Sequence, residues 1–231
     1  MSSANFVSAQ DIETLERIYT QRFSCRAFRS EPVARTTITR ILYVAQRTAS
    51  WCNSQPWQLV VSSGDALVGF RKAMLAAIAE PPEAPDFAWP SEYRGIYLTR
   101  RRECGLALYA SVGIEKGDRE GAERQRRDNF RFFGAPHVAI ITTDEALGVY
   151  GAIDCGAYVA SFIAAARAMG VSAIAQAALA SRPQLVRSHF GLGDDRRVVC
   201  GISFGYADED HPANGFRTTR ENLGQVVTFR E

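Results

Sequence analysis

The stretch HVAIITTDEALGVYGAIDCGAYVASFIAAARAMG (137–170) sets a strand ahead of a helix, and that order governs how the rest is read. HVAIITTD (137–144), released by Pro136, is apolar and β-branched and reads as a strand. GAIDCGAYVASFIAAARAM (151–169) reads as a buried helix closed by Gly170, the residue type that best accepts a left-handed helix end. Downstream, VSAIAQAAL (171–179) and a helix at RPQLVRSHF (182–190) lead to a strong strand in RRVVCGISFGYAD (196–208). Upstream, DIETLERIYTQR (11–22) carries Ile12, Leu15 and Tyr19 on one helical face. A second amphipathic helix opens at Pro32 and presents Val33, Ile38, Ile41, Leu42 and Ala45. QLVVSS (58–63), between Pro56 and Gly64, reads as a strand, and DALVGFRKAMLAAIAE (65–80) as the helix after it. Short strands separated by helices predict a three-layer α/β or α+β domain, with helices on both sides of a sheet, and α+β is the class expected here.

Two segments break this alternation. Residues 82–128 are rich in Pro, aromatic and Arg residues around a helix at YLTRRRECGLALYASVGI (97–114), and they read as an inserted helical cap. The tail GQVVTFRE (224–231) alternates like one more strand but has no hairpin partner nearby, so its backbone groups would pair elsewhere, one candidate being another subunit. Without an internal repeat or low-complexity linker, the expectation is a single domain over residues 1–231.

Composition narrows the function classes. The 231 residues are 46% hydrophobic and 23% charged, a soluble globular profile, and a formal charge of +2 gives no reason to expect nucleic acid. Arginines crowd at 94–102 and 124–131, and such runs are as a rule solvated helix faces. Cys25, Cys52, Cys104, Cys155 and Cys200 form no CxxC pair, and His137, His189 and His211 show no ligand spacing, which disfavours zinc and iron–sulfur sites. The N-terminus lacks the basic start and apolar block of a secretory signal. The longest apolar region (156–180) is interrupted by Arg167 and Gln176, so the expectation is a cytoplasmic protein with reduced thiols and no membrane span.

Familiar catalytic signatures are missing. There is no GxSxG, and GLGDDR (191–196) lacks a third glycine and follows a helix, so neither a serine hydrolase nor a Rossmann fingerprint is read here. Two other stretches carry more. In RFSCRAF (22–28), Arg22 and Arg26 bracket the Ser24 hydroxyl, which asks for an anion: a phosphate, an internal carboxylate, or only water. In TASWCNSQPWQLVV (48–61), the amides of Asn53 and Gln55 lie between Trp51 and Trp57. Amides both donate and accept, which suits the edge of a heterocycle, and an Asx turn ahead of Pro56 is the plainer alternative.

Together these stretches resemble the flavin-dependent nitroreductase family. Its Arg-x-Ser-x-Arg-x-Phe motif is matched by Arg22, Ser24, Arg26 and Phe28, and its Ser-x-x-Asn-x-Gln-Pro-Trp segment by Ser50, Asn53, Gln55, Pro56 and Trp57. The likeness continues through NFRFFGAP (129–136), AIDCGAYVASFIAAARAMGVSA (152–173), CGISFGYAD (200–208) and NGFRTTRENLGQVVTF (214–229), and so spans nearly the whole chain. The resemblance implies an FMN-binding homodimer with a central mixed sheet, whose C-terminal strand joins the sheet of the other subunit. It implies that Arg22 and Ser24 hold the FMN phosphate and ribityl chain together with Arg220, and that Arg26 approaches the pyrimidine edge. Ser50, Trp51 and Asn53 of the partner subunit would complete the site, with Gln55 in the same cofactor-binding segment. Gln176 and Ala177 would lie along the flavin face near N5, and Arg131 near the N1/O2 edge. Cys25 would point away and pack.

The implied activity is hydride transfer from NAD(P)H through flavin N5 to a nitroaromatic or quinone, in alternating half-reactions that need no dedicated acid or base. Reductive dehalogenation of a halophenol, or FMN carriage without turnover, are the rivals. Trp51 replaces a small residue of the family pattern, and the 82–128 insert resembles that of nitrobenzoate-type reductases. Trp51, Tyr93, Tyr97 and Arg100 are therefore the candidate walls of a pocket for a small aromatic substrate.

Overall fold

A computed structural model describes residues 8–231. Strands β1 (Gln58–Ser63), β2 (His137–Asp144), β3 (Ser172–Gln176) and β4 (Arg196–Gly205) form one sheet in the order β1-β2-β4-β3. The sheet expected to be mixed is antiparallel at every strand pair. The reason is topological. β2 and β3 run in the same direction and are joined by helix α6 (Gly148–Ala168), but β4 inserts between them and runs opposite to both, giving a split βαβ unit. A parallel contact survives as the isolated bridge between Ser24 and Ala173.

β2 is buried along its length except at Asp144, and its residues alternate between two cores. Ala139 and Ile141 face helix α2 (Arg35–Ala45) and α6, meeting Ile38, Ile41, Tyr158 and Phe162. Val138 and Ile140 face the other side, where helices α3 (Gly64–Ala77) and α7 (Pro183–Phe190) contribute Leu67, Phe70, Met74 and Val186. β4 serves both cores, with one change of phase. Ile141 pairs with Cys200 but Thr142 with Val198, so Val199 is an extra residue in the ladder. That bulge turns Val198 into one core while Ile202 and Phe204 enter the other.

The segment Glu145–Ala168 is long and apolar enough to cross a membrane by composition. Here α6 buries Cys155, Tyr158 and Phe162 against the sheet, and Gly170 at φ +73° ends it in the left-handed conformation read from sequence. The opposite side of α6 is exposed, and so is the Ile12, Leu15 and Tyr19 face of helix α1 (Ala9–Gln21), which has no buried residue.

The 82–128 region contains helices α4 (Gly95–Ser111) and α5 (Arg119–Asp128). Its entry is strapped to the body. Arg182 donates to the carbonyls of Glu80, at 2.8 Å, and Pro81. The Asp86 carboxylate accepts from Arg187 at 2.6 Å, from Arg197 at 3.4 Å and from the Val198 N–H at 2.7 Å. In the tail, Leu223–Gln225 form a 3₁₀ turn and the following residues make no strand pairing among the described residues, where Phe229 is 80% exposed.

The Asp86 side chain is only 4% exposed, so removing its charge strands Arg187 in a dry place. Asp86→Asn keeps the shape and should cost about 3 kcal/mol in urea unfolding. A loss under about 1 kcal/mol, the range of a surface pair, would show that the strap does not hold the cap.

Candidate functional site

RFSCRAF leaves α1 as extended backbone and runs along the free edge of β3, where the Cys25 N–H donates to the Ala173 carbonyl at 3.3 Å. The alternation of an extended chain sends Cys25 inward, fully buried, with its thiol donating to the Ala27 carbonyl at 3.1 Å. Arg22, Ser24 and Arg26 stay half-buried on the other side. Among the described residues Arg22 has no carboxylate partner, so the internal-anion reading finds no support there. Burial pushes the Arg26 guanidinium below its ordinary value, and its Nη1 reaches only the Ser24 carbonyl, at 3.2 Å.

Sequence reasoning missed the residue that fixes this segment. Asn214 is buried, accepts from the Arg26 N–H at 2.7 Å, and donates to the carbonyls of Ala27 and Asp208 at 2.8 Å each. A sequence signal was present: an Asn-Gly pair directly before the tail's arginines. From there the tail folds over the segment, with Phe216 5.5 Å from the Arg26 guanidinium and Arg217 4.1 Å above the Phe23 ring. Among the described residues Arg220, the expected phosphate ligand, hydrogen-bonds only to its neighbours Thr218 and Thr219. Arg217 makes the closer approach.

Two of the residues expected at the cofactor have their side-chain amides engaged within the chain. Gln176 is buried, with its amide donating to the Asn129 carbonyl at 2.9 Å and accepting from the Ser203 hydroxyl, so its side chain is spent inside the protein. What β3 and the turn that follows it offer outward are the small exposed side chains of Ala175 and Ala177. Gln55 likewise accepts from Gln46 at 3.2 Å and donates to the Asn53 carbonyl at 3.2 Å. It braces its own loop. The turn closes through the Ser50 hydroxyl, which accepts from the Gln55 N–H at 2.9 Å, and the Asn53 amide has no partner among the described residues. Trp51 is 61% exposed, donates its backbone N–H to the Asp154 carboxylate at 3.1 Å and meets Tyr150 edge-on at 4.6 Å.

The two motifs stand apart. Gln58, at the end of the Ser50–Gln55 loop, pairs with Thr142, whereas Ala173, beside Ser24, pairs with Phe204 opposite His137. They occupy diagonal corners of the sheet, on the order of 20 Å apart from strand spacing and rise. One chain does not bring them together.

Arg26 and Arg131 do meet, with Arg71, around a cleft of about 540 Å³. Arg131 also pairs with Asp128 at 3.1 Å. A larger cleft, about 610 Å³ beside His137, contains none of the predicted residues. Of the pocket candidates, Arg100 is bonded to Glu221 of the tail at 2.8 Å, while Tyr93 and Tyr97 are exposed.

Arg22 and Arg26 without a carboxylate partner among the described residues, a serine hydroxyl and small side chains along an open strand edge fit a phosphorylated planar group. Residues 19–206 match the profile of the Nitroreductase family. The chain belongs to the nitroreductase family. It is 32% identical to nitroreductase NfnB of Mycolicibacterium smegmatis, covering 94% of this chain and 93% of that protein. It is 31% identical to a 4-nitrobenzoate reductase of Pseudomonas putida, covering 90% and 92%. The crystal structure of the FMN-dependent NfnB from Mycobacterium smegmatis in complex with NADPH superposes with a TM-score of 0.91 at 32% identity, over 95% of this chain and 99% of that one. The FMN- and NADPH-dependent NfnB of a Sphigopyxis strain gives the same TM-score of 0.91 at 31% identity, over 94% and 99%. This chain is thus an α+β nitroreductase-family oxidoreductase related to FMN- and NADPH-dependent enzymes.

Burial pushes the Cys25 thiol up to about 11 and the Cys155 thiol up to about 12. Both stay protonated in the folded chain while the unfolded chain ionises them, so their stabilisation is complete below the ordinary thiol value of 9.0 and is lost as pH rises toward 11–12. Iodoacetamide at pH 8 should leave both unlabelled until urea is added. Native labelling of Cys25 at the rate seen in urea would place RFSCRAF outside the packed structure.

Proposed function

We propose that this chain is an FMN-dependent nitroreductase that works as a homodimer, using NADPH or NADH to reduce nitroaromatic or quinone acceptors. The observation that carries the reading is the diagonal separation of two motifs, each with groups left unsatisfied. Arg22 and Ser24 hold the FMN phosphate, assisted by Arg217 and Arg220, since guanidinium forks suit phosphate oxygens better than an ammonium. Ala175 and Ala177 leave flat space for the ring, and Arg26 and Arg131 bring positive charge to its pyrimidine edge. Bound there, FMN would supply the redox chemistry of hydride transfer between the nicotinamide and the acceptor. The free Asn53 amide and the Trp51 indole of the partner subunit close the opposite side, exclude water and offer a wall on which an aromatic acceptor stacks.

The dimer reading draws on apolar surface the chain leaves bare. Val149, Tyr150 and Ile153 on α6, Ile12, Leu15 and Tyr19 on α1, and the tail's Val226 and Phe229 are all exposed. So large a set is covered by a second copy, with the tail adding a strand there. Five free cysteines suit a reducing, cytoplasmic compartment.

Anaerobic addition of NADPH to the purified yellow protein should bleach it, and a nitroaromatic should restore the colour; a protein that stays oxidised with both nicotinamides is no reductase. Arg22→Ala should weaken FMN binding by about 1.5–3 kcal/mol. Unchanged affinity in a fluorescence titration would make Arg22 a solvated helix end. Truncation before Gly224 should lower the dimer's stability by light scattering, and a stable flavin-loaded dimer without the tail would count against strand addition.

A further inference from the structure

One row of side chains on α4 changes its surroundings halfway along the helix. Cys104, Leu108 and Val112 are partly buried against the body. The same row, continued toward the N-terminus at helical spacing, passes through Arg101 and Tyr97, both exposed, and exposed Tyr93 lies just ahead of the helix. In the N-terminal half of α4 only Leu98 and Arg100 are partly buried, and the face carrying Tyr97 and Arg101 is exposed. Two contacts fix where. Arg100 on the flank of this row is held by Glu221, the residue after Arg220, and α4 packs against the 3₁₀ turn Pro212–Asn214, whose Asn214 accepts from the Arg26 N–H. The exposed row therefore borders the cation cluster of the candidate site.

Arg101 is the free charge of that row. Arg94 pairs with Glu92 and Arg100 with Glu221, whereas Arg101 has no carboxylate partner among the described residues. Its guanidinium lies over the Tyr93 ring, 5.1 Å from the centroid. Stacking on an aromatic ring restrains the long side chain while leaving the donor edge of the guanidinium open. An aromatic wall with an uncompensated planar cation matches a ligand that is both aromatic and anionic.

We propose that Arg101, seated on Tyr93, reads an oxyanion borne by an aromatic ligand, so that the site takes anionic aromatic ligands in preference to their neutral analogues. This rests on the reading of the site as that of an FMN-dependent reductase. To a guanidinium, the carboxylate of a benzoate-type acceptor and the 2′-phosphate of NADPH are the same chemistry: two or more oxygens placed for a forked, charge-assisted contact.

The test compares matched pairs on FMN-loaded protein: 4-nitrobenzoate against nitrobenzene as acceptor, and NADPH against NADH as donor. In the wild type the anionic member of at least one pair should lead by about tenfold or more in kcat/KM, the worth of one charge-assisted hydrogen bond. Arg101→Gln should erase that preference and Arg101→Lys should keep part of it. The pair that responds names the source of the anion. Arg102→Gln lowers the net charge equally from another side of α4. An equal fall in the two glutamine variants would reduce the effect to a diffuse field and overturn the proposal, as would unchanged ratios in both pairs. If no donor–acceptor pair turns over, the reductase reading fails by itself. Calorimetry then decides the anion reading: benzoate binding about tenfold tighter than benzamide, with the difference lost in Arg101→Gln, sustains it, and equal affinities end it.

Discussion

Strands β2 and β4 have no wet face, and the placement of nearly everything else follows from keeping them dry. An apolar strand pair buried on both sides needs helices on both sides, supplied by α2 and α6 on one and by α3 and α7 on the other. Alternation feeds both cores, and the bulge at Val199 turns Val198 to the side of α3 and α7. With the centre of the sheet committed to packing, only the outer strands have groups to spare. β1 and β3 are those strands, and each carries one of the two polar motifs. The separation of the motifs is thus a result of core formation.

Edges also explain what the sequence made legible. β1 and β2 fall on the residues read as strands, because β-branched runs bounded by Pro and Gly fix their own conformation. Cys25 packs inward as alternation required. The antiparallel order was hidden, since inserting β4 between β2 and β3 is a choice made by contacts far apart in the chain. Gln176 and Gln55 were assigned to a ligand because an amide looks the same in sequence whether it faces outward or inward. Only Asn129, Ser203 and Gln46, distant or turned toward them, decide that both are used internally. Asn214 went unread for the same reason: its partners, Arg26 and Ala27, lie at the other end of the chain.

Backbone strain gathers at the same places. Cys52, Asn53 and Gln55 adopt φ of +52°, +55° and +48°, and Phe132 and Phe133 adopt +59° and +53°, without a glycine among them. Each left-handed L-residue costs about 1–2 kcal/mol, so the surroundings must over-determine it. For the first loop the brace is a relay: Trp57 donates to Gln46 at 3.0 Å, and Gln46 donates to Gln55 at 3.2 Å. For the second it is burial, since both phenylalanines are core residues. The first loop presents Trp51 and Asn53, and the second follows Arg131, so the strained backbone lies beside the residues proposed to meet the cofactor and its ligand.

Helix α4 is built under different terms. No residue in it is fully buried, and its entry is pinned upstream by Asp86 rather than by anything in the helix itself. Exchanging exposed side chains of that kind costs about 0.5 kcal/mol or less of folding free energy. The core strands and the Asn214 anchor have no such latitude. Residues 93–102 can therefore drift in sequence while the cofactor cradle stays as it is, which makes this arm the place where one scaffold could diverge into enzymes with different tastes.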